Sequence, residues 1–178
     1  RYETVAAFLG HCRSNLPILS SYLNTVPFAT VLETLTAKSC ALDISYDRLE
    51  WFGDAVLKLI QTDTLLNSIE LKKWVTCLHE GDLTALRSAM GANDRLMHAA
   101  QNAGIDRFIL RQAMGRGQWA PKCLDLWIKD DDGTKTYVPL DEELLSDKVC
   151  ADMVEAILGV VYLEHGYEAS FKVADELG

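Results

Sequence analysis

Residues 146 to 166 read SDKVCADMVEAILGVVYLEHG. On a helical wheel Val149, Met153, Val154, Ile157, Leu158, Val160 and Val161 cover well over half of the circumference. Lys148, Asp152, Glu155 and Gly159 share the strip that is left. A helix this apolar is expected to be mostly buried, and the rest of the chain must pack around it. That places Asp152 and Glu155 on a narrow polar strip of a core helix, where a solvated face is a weak explanation. Buried carboxylates cost free energy unless they are paired or bound to a metal. Two readings follow: ion pairing with Lys148 or an arginine, or ligation of a cation.

A second acidic helix precedes it. In YDRLEWFGDAVLKLI, residues 46 to 60, Asp47, Glu50 and Asp54 recur at spacings of three and four. An α-helix advances about 100° per residue, so these positions share one stripe roughly 60° wide. Leu49, Phe52, Val56 and Leu59 are assigned to the other side. Like charges one turn apart repel, so the stripe is either a solvated face or part of a ligand set. Glu50 and Asp54 with Asp152 and Glu155 make four oxygen ligands with no His or Cys nearby. Such a set suits hard cations, Mg²⁺ or Mn²⁺. Without a cation the four carboxylates could not all ionise, and their pKa values would be coupled and raised.

The remaining chain limits the classes of function. Its 178 residues, 49% hydrophobic, suit one domain or a domain with an insertion. No run of 18 apolar residues is present, which gives no membrane span. Arg1 is not followed by a secretory signal pattern, which points to a piece excised from a larger protein. Cys12, Cys40, Cys77, Cys123 and Cys150 form no CxxC pair, so a reducing, intracellular setting is expected. The net charge of −9 is poor composition for gripping nucleic acid unaided. Bound cations, or basic domains elsewhere in a parent protein, would account for it.

Helices are expected over residues 1 to about 25, interrupted at Pro17, over 31 to 35 and over 46 to 66. A new helix starts near HEGDL at 79 to 83, with a stripe of Leu83, Leu86, Met90, Leu96 and Met97 divided at Gly91; Gly104 is its C-cap. Trp74 to Leu78 reads as a helix end or loop. Periodicity fades over 113 to 144, where LWIK and TKTYV flank DDDG like a short hairpin, so this stretch is an insertion. DDDG lacks EF-hand spacing, and the four histidines form no HExxH or HD pair.

DRLEWFGDAVL resembles the signature of the ribonuclease III family, which usually reads ERLEFLGDAVL. ADMVEAILGVVYL resembles the family's second acidic motif, and EGDLTALRSAMGANDRLMHAAQNAG resembles the segment between the two. The resemblance covers roughly residues 30 to 170. It implies an all-α, ribonuclease III-type endonuclease domain spanning 1–178, with a helical lead-in over 1–28 and a hairpin insertion over 113–144. It implies metal-dependent hydrolysis of double-stranded RNA, leaving 5′-phosphate and 3′-hydroxyl ends. By motif position Glu50, Asp54, Asp152 and Glu155 are the catalytic and metal-binding residues, with Mg²⁺ as the cofactor and Mn²⁺ as its substitute. Asp47, Lys148 and Asn93 are accessory residues, and the resemblance implies that Trp51 and Phe52 serve a dimer interface, a plain core role being the alternative.

Ala37 stands where bacterial members usually have His, and the insertion is longer than theirs. Both departures resemble a domain of a Dicer-like RNA-silencing protein, and KVCADMVEA resembles the first of its two ribonuclease III domains more than the second. The partner is then a second ribonuclease III domain, or another copy when the domain is isolated. The alternative is a catalytically silent ribonuclease III-like scaffold for dimerisation or RNA docking. Such scaffolds generally have decayed acidic motifs, and the motifs are intact here. Weak, salt-sensitive RNA binding is expected of the chain alone.

Overall fold

A computed structural model describes residues 1–40, 42–67, 77–111, 127–129, 135–137 and 147–178. The fold is all-α. In chain order the helices are α1 (Tyr2–Asn15), α2 (Pro17–Leu23), α3 (Phe28–Leu35), α4 (Asp47–Asn67), α5 (Glu80–Met90) and α6 (Asn93–Asn102). A short antiparallel ribbon follows, β1 (Trp127–Lys129) with β2 (Lys135–Tyr137), and then α7 (Asp147–His165) and α8 (Tyr167–Leu177). Two 3₁₀ turns, Lys38–Cys40 and Asp106–Phe108, link the elements. None of the described helices is long and apolar enough to cross a membrane.

The helix that reads as most apolar is the centre of the fold. Every residue of α7 from Cys150 to Val161 is buried except Glu155, which is half-buried. Fully burying one Val, Leu, Ile or Met side chain contributes about 1.5–3 kcal/mol. The apolar side chains of α7 therefore outweigh the penalty of carrying a carboxylate strip into the core. α4 makes the most extensive contact with α7, followed by α6 and α8. From the amino-terminal helices, Val5, Phe8, Cys12, Leu19, Leu23, Val31 and Leu35 join the same core.

Local chemistry sets the helix ends. Pro17 opens α2, where the missing N–H costs nothing. The next two amides of α2, Ile18 and Leu19, donate to the Glu176 carboxylate of α8 at 2.9 and 2.8 Å, tying the two ends of the chain together. α6 stops in a Schellman motif: Gly104, at φ +66°, donates to Gln101 O, and Ile105 donates to Ala100 O. Leu110 donates to Leu35 O and accepts from Ala37, and the Tyr46 amide donates to Thr36 O at 2.8 Å. This clasp fixes where α4 begins, and so where its first acidic turn points.

Three expectations change. On α4 the buried positions are Leu49, Gly53, Val56, Leu57, Ile60, Gln61 and Leu65, because α7 crosses over Gly53. Leu59, assigned to the apolar side, is instead 49% exposed, and Glu50 and Asp54 border the buried face rather than opposing it. α5 has the amphipathic spacing but buries no residue, since little besides α4 packs against it. The pairing of Trp127 with Tyr137 and of Lys129 with Lys135 supplies the flanks of the expected hairpin. Its DDDG turn, most of the 113–144 insertion and residues 74 to 76 lie outside the described residues.

Among the described residues Cys12, Cys40 and Cys150 are free thiols. His11 contacts the Ala103 carbonyl and His165 the Tyr22 carbonyl, so both histidines tie helices together.

Candidate metal centre

The site begins with two glycines. A Cβ on Gly159 of α7 would lie 2.6 Å from Leu49 O and 3.3 Å from the Cα of Gly53. A Cβ on Gly53 would collide with the carbonyl group of Glu155. Only glycine at both positions lets α4 and α7 cross with their backbones touching. This crossing brings the acidic turn of α4 against that of α7.

One carboxylate oxygen from each of Glu50, Asp152 and Glu155 lies within 4.8 Å of the others. Asp152 is 7% exposed, and the other two are half-buried. Lys148 spans the group: its Nζ donates to Asp152 Oδ1 at 2.8 Å and to Glu50 Oε1 at 3.4 Å. Both readings of Asp152 are therefore realised in part, an ion pair with Lys148 inside a group of carboxylates.

Burial, and then the neighbouring charges, raise the carboxyls of Glu155 and Glu50. Burial first, then the charges of Asp54, Asp152 and Glu50, push Glu155 from 4.5 up to about 7, against the opposing pull of Lys148. Glu50 is raised by burial and then by Asp152, with Lys148 again opposing. Lys148 is itself raised, first by its hydrogen bond to Asp152. A cation between these oxygens would offset both the repulsion and the desolvation. The donor set is all oxygen, which fits a hard divalent ion.

The other predicted residues are placed differently. Asp54 lies outside the group of three; its Oδ2 accepts from Lys58 Nζ at 2.6 Å, although its charge still acts on Glu155. Asp47 pairs with Lys38 at 3.1 Å on the exposed side. Asn93 is the exposed first residue of α6 and makes no hydrogen bond to these carboxylates among the described residues.

Sequence reading passed over Tyr46, Lys58 and the two glycines. Tyr46 is buried, and its phenol is pushed up by burial and then by the charges of Asp152, Glu50 and Asp47. The signals were present: Tyr46 stands one turn before Glu50, and Lys58 one turn after Asp54.

The chain is similar to known proteins in family and in fold. The family model of the Ribonuclease III domain matches residues 47–166. Dicer-like protein 2 of Cryphonectria parasitica is 32% identical over 138 residues, 76% of this chain and 9% of that protein. Endoribonuclease Dicer homolog 2a of Oryza sativa subsp. japonica is 28% identical over 158 residues, 86% of this chain and 11% of that protein. The chain thus spans about a tenth of the length of these curated relatives. The solved nuclease domain of a Campylobacter jejuni ribonuclease III superposes with a TM-score of 0.60 at 24% identity, covering 92% of each chain, a likeness of fold.

Proposed function

The chain belongs to the ribonuclease III family, and from that premise we propose that it hydrolyses double-stranded RNA with a divalent cation, as one catalytic domain of a Dicer-like RNA-silencing protein. The observation that carries this reading is the convergence of Glu50 from α4 with Asp152 and Glu155 from α7. These three, joined by Asp54 once it leaves Lys58, hold Mg²⁺, with Mn²⁺ as a substitute. A cation held by these residues would supply a water of lowered pKa and offset charge on the scissile phosphate.

The chain's own residues prepare that site. Lys148 holds Asp152 and Glu50 in place before the cation arrives. Glu155, its carboxyl raised to about 7 and so only partly ionised near neutral pH, would release its remaining proton to solvent on binding a cation. Asp47 and Asn93 keep the accessory roles that the family motifs imply. The products carry 5′-phosphate and 3′-hydroxyl ends. The duplex is recognised by shape and backbone, so modules beyond this chain supply most of the phosphate contacts that a net charge of −9 disfavours.

We read residues 1–178 as one catalytic domain, intracellular, with 1–28 as its lead-in and 113–144 as its insertion. The stripe of Trp51, Leu59 and Leu66 on the outer side of α4 is exposed. A second ribonuclease III domain covers it, another copy when this one is isolated. One related Campylobacter jejuni structure is described by a region involved in dimer formation of its own nuclease domain.

The test is cleavage of a long end-labelled RNA duplex by the purified chain, with Mg²⁺ and with EDTA, beside Glu155→Gln. Mg²⁺-dependent cutting that the substitution abolishes supports the enzyme. Cutting that survives Glu155→Gln overturns the site. A folded dimer that never cuts, with Mg²⁺ or Mn²⁺ at low salt and with RNA-binding modules restored, favours the silent scaffold.

A further inference from the structure

Three acids share one stripe at the start of α4, and each meets its own lysine. Asp47 Oδ2 pairs with Lys38 Nζ at 3.1 Å, Glu50 Oε1 with Lys148 Nζ at 3.4 Å, and Asp54 Oδ2 with Lys58 Nζ at 2.6 Å. The lysines come from three places: the 3₁₀ turn before α4, α7, and α4 itself. Asp47 stands one turn before Glu50, and Asp54 one turn after it. At 1.5 Å of rise per residue the outer two acids are about 10 Å apart along the helix, with Glu50 between them.

The middle lysine differs from the outer two. Lys148 is also bound to Asp152 at 2.8 Å, and that carboxylate side chain is only 11% exposed. Removing Lys148 would leave a buried carboxylate without its donor, a costly step. Lys38 and Lys58 instead hold solvent-facing acids, and in both pairs each side chain is 40% exposed or more. Such pairs contribute little and exchange readily. Asp54, once drawn to a cation held by Glu50, Asp152 and Glu155, also leaves the Lys58 ammonium unanswered. Two exchangeable ammonium groups thus flank an acidic group that a phosphate backbone has to approach. In a chain of net charge −9 that approach needs positive charge close by.

On the RNA-cleaving reading, we infer that Lys38 and Lys58 are backbone-binding residues, which exchange Asp47 and Asp54 for phosphates of the duplex on either side of the one being cut. Lys148 stays behind to hold Asp152 and Glu50. Lysine binds phosphate as a point charge, so these contacts position the duplex and carry no preference for base sequence.

The experiment follows binding of a short fluorescent RNA duplex by anisotropy, at one saturating Mg²⁺ concentration and between about 50 and 200 mM salt. The full chain carries Glu155→Gln throughout, so that the duplex stays whole. Added to that background, Lys38→Gln and Lys58→Gln should each weaken binding and reduce the slope of log affinity against log salt by about one. Two duplexes of unrelated sequence should respond alike. Lys172→Gln, which removes the same charge from an exposed position on α8, should leave the slope unchanged. Lys38→Arg and Lys58→Arg should keep it as well, and circular dichroism should show every variant folded. An unchanged slope in Lys38→Gln or in Lys58→Gln, or an equal reduction in Lys172→Gln, overturns the inference. If Glu155→Gln alone binds no duplex at the lowest salt, the RNA-cleaving reading fails and the inference with it, a result distinct from binding that these lysines do not alter.

Discussion

Gly53 on α4 and Gly159 on α7 meet backbone to backbone, and a Cβ on Gly159 would stand 3.3 Å from the Cα of Gly53. The nearer obstacle is Leu49 O at 2.6 Å, and a helix backbone cannot move aside as a flexible side chain can. Gly159→Ala is therefore expected to destabilise the fold by about 1–3 kcal/mol, the usual range for overpacking. Separating α4 from α7 also parts Glu50 from Asp152 and Glu155, so Mg²⁺ affinity should fall in the same variant. Urea unfolding with and without Mg²⁺ checks both effects. A fully stable Gly159→Ala that binds Mg²⁺ normally would remove the crossing as the origin of the site.

The raised carboxyl of Glu155 gives the metal-free protein a pH dependence of definite sign. Its pKa is about 7 in the folded chain against 4.5 for the free group, so folding favours the neutral acid. The associated stability is fully present below pH 4.5 and is lost as pH rises through about 7. Glu50, also raised, acts in the same direction. In EDTA the Tm should fall across this interval, and Glu155→Gln should flatten the fall. Saturating Mg²⁺ should reverse it, because a cation stabilises the ionised form. A metal-free Tm that rises over the same interval would contradict the described electrostatics.

The central position of α7 was legible because its apolar residues occupy more than half of a helical wheel, which leaves no face to offer to water. Asp152 and Glu155 were legible for the same reason, since charges on a buried helix need an explanation, whereas Glu50 was legible only through the spacing of the α4 acids and its family motif. The side of α4 that is buried was not legible. Leu59 is as apolar as Leu57, and only the crossing over Gly53 decides that Leu57 goes in and Leu59 stays out. On α5, periodicity specified an amphipathic helix but not whether anything covers Leu86. Asp54 was grouped with the other acids by spacing, while its own pairing with Lys58 was passed over.

That pairing makes a separable prediction. The Lys58–Asp54 bridge is short, but both side chains are largely exposed, and such i,i+4 pairs contribute only about 0.3–0.5 kcal/mol. Lys58→Gln should leave the unfolding midpoint nearly unchanged. It should tighten Mg²⁺ binding severalfold, by freeing Asp54 and by removing a positive charge beside the site. Calorimetric titration decides. Weaker Mg²⁺ binding in Lys58→Gln would show that the lysine supports the site instead of competing for it.

Trp51 is 77% exposed on α4 and shares its stripe with Leu59 and Leu66. If a second ribonuclease III domain covers this stripe, Trp51→Glu places a charge inside an apolar interface. The variant should be monomeric by light scattering at concentrations where the parent chain is dimeric. The fold should persist, since the residue contributes little to the core of its own chain. A dimer unaffected by Trp51→Glu would move the interface elsewhere.

Tyr46 allows the support of the carboxylates to be tested apart from their charge. Only 3% exposed, it feels the charge of Asp152 more than that of any other group, while Lys148 Nζ donates to Asp152 Oδ1 at 2.8 Å. The Tyr46 hydroxyl, on the residue just before α4, is thus a second group beside Asp152, opposite Lys148 of α7. Tyr46→Phe keeps the ring in the core and removes only the hydroxyl, so stability should change by no more than about 1 kcal/mol. Partners that orient a ligand typically contribute ten- to a hundredfold in metal affinity. For Tyr46→Phe, with Lys148 still in place, the expected weakening of Mg²⁺ binding is about tenfold. Saturating Mg²⁺ should then restore much of the cleavage rate, because all the carboxylates remain. Unchanged Mg²⁺ affinity would reduce Tyr46 to a packing residue, and a loss that saturating Mg²⁺ cannot restore would give its hydroxyl a direct part in the chemistry.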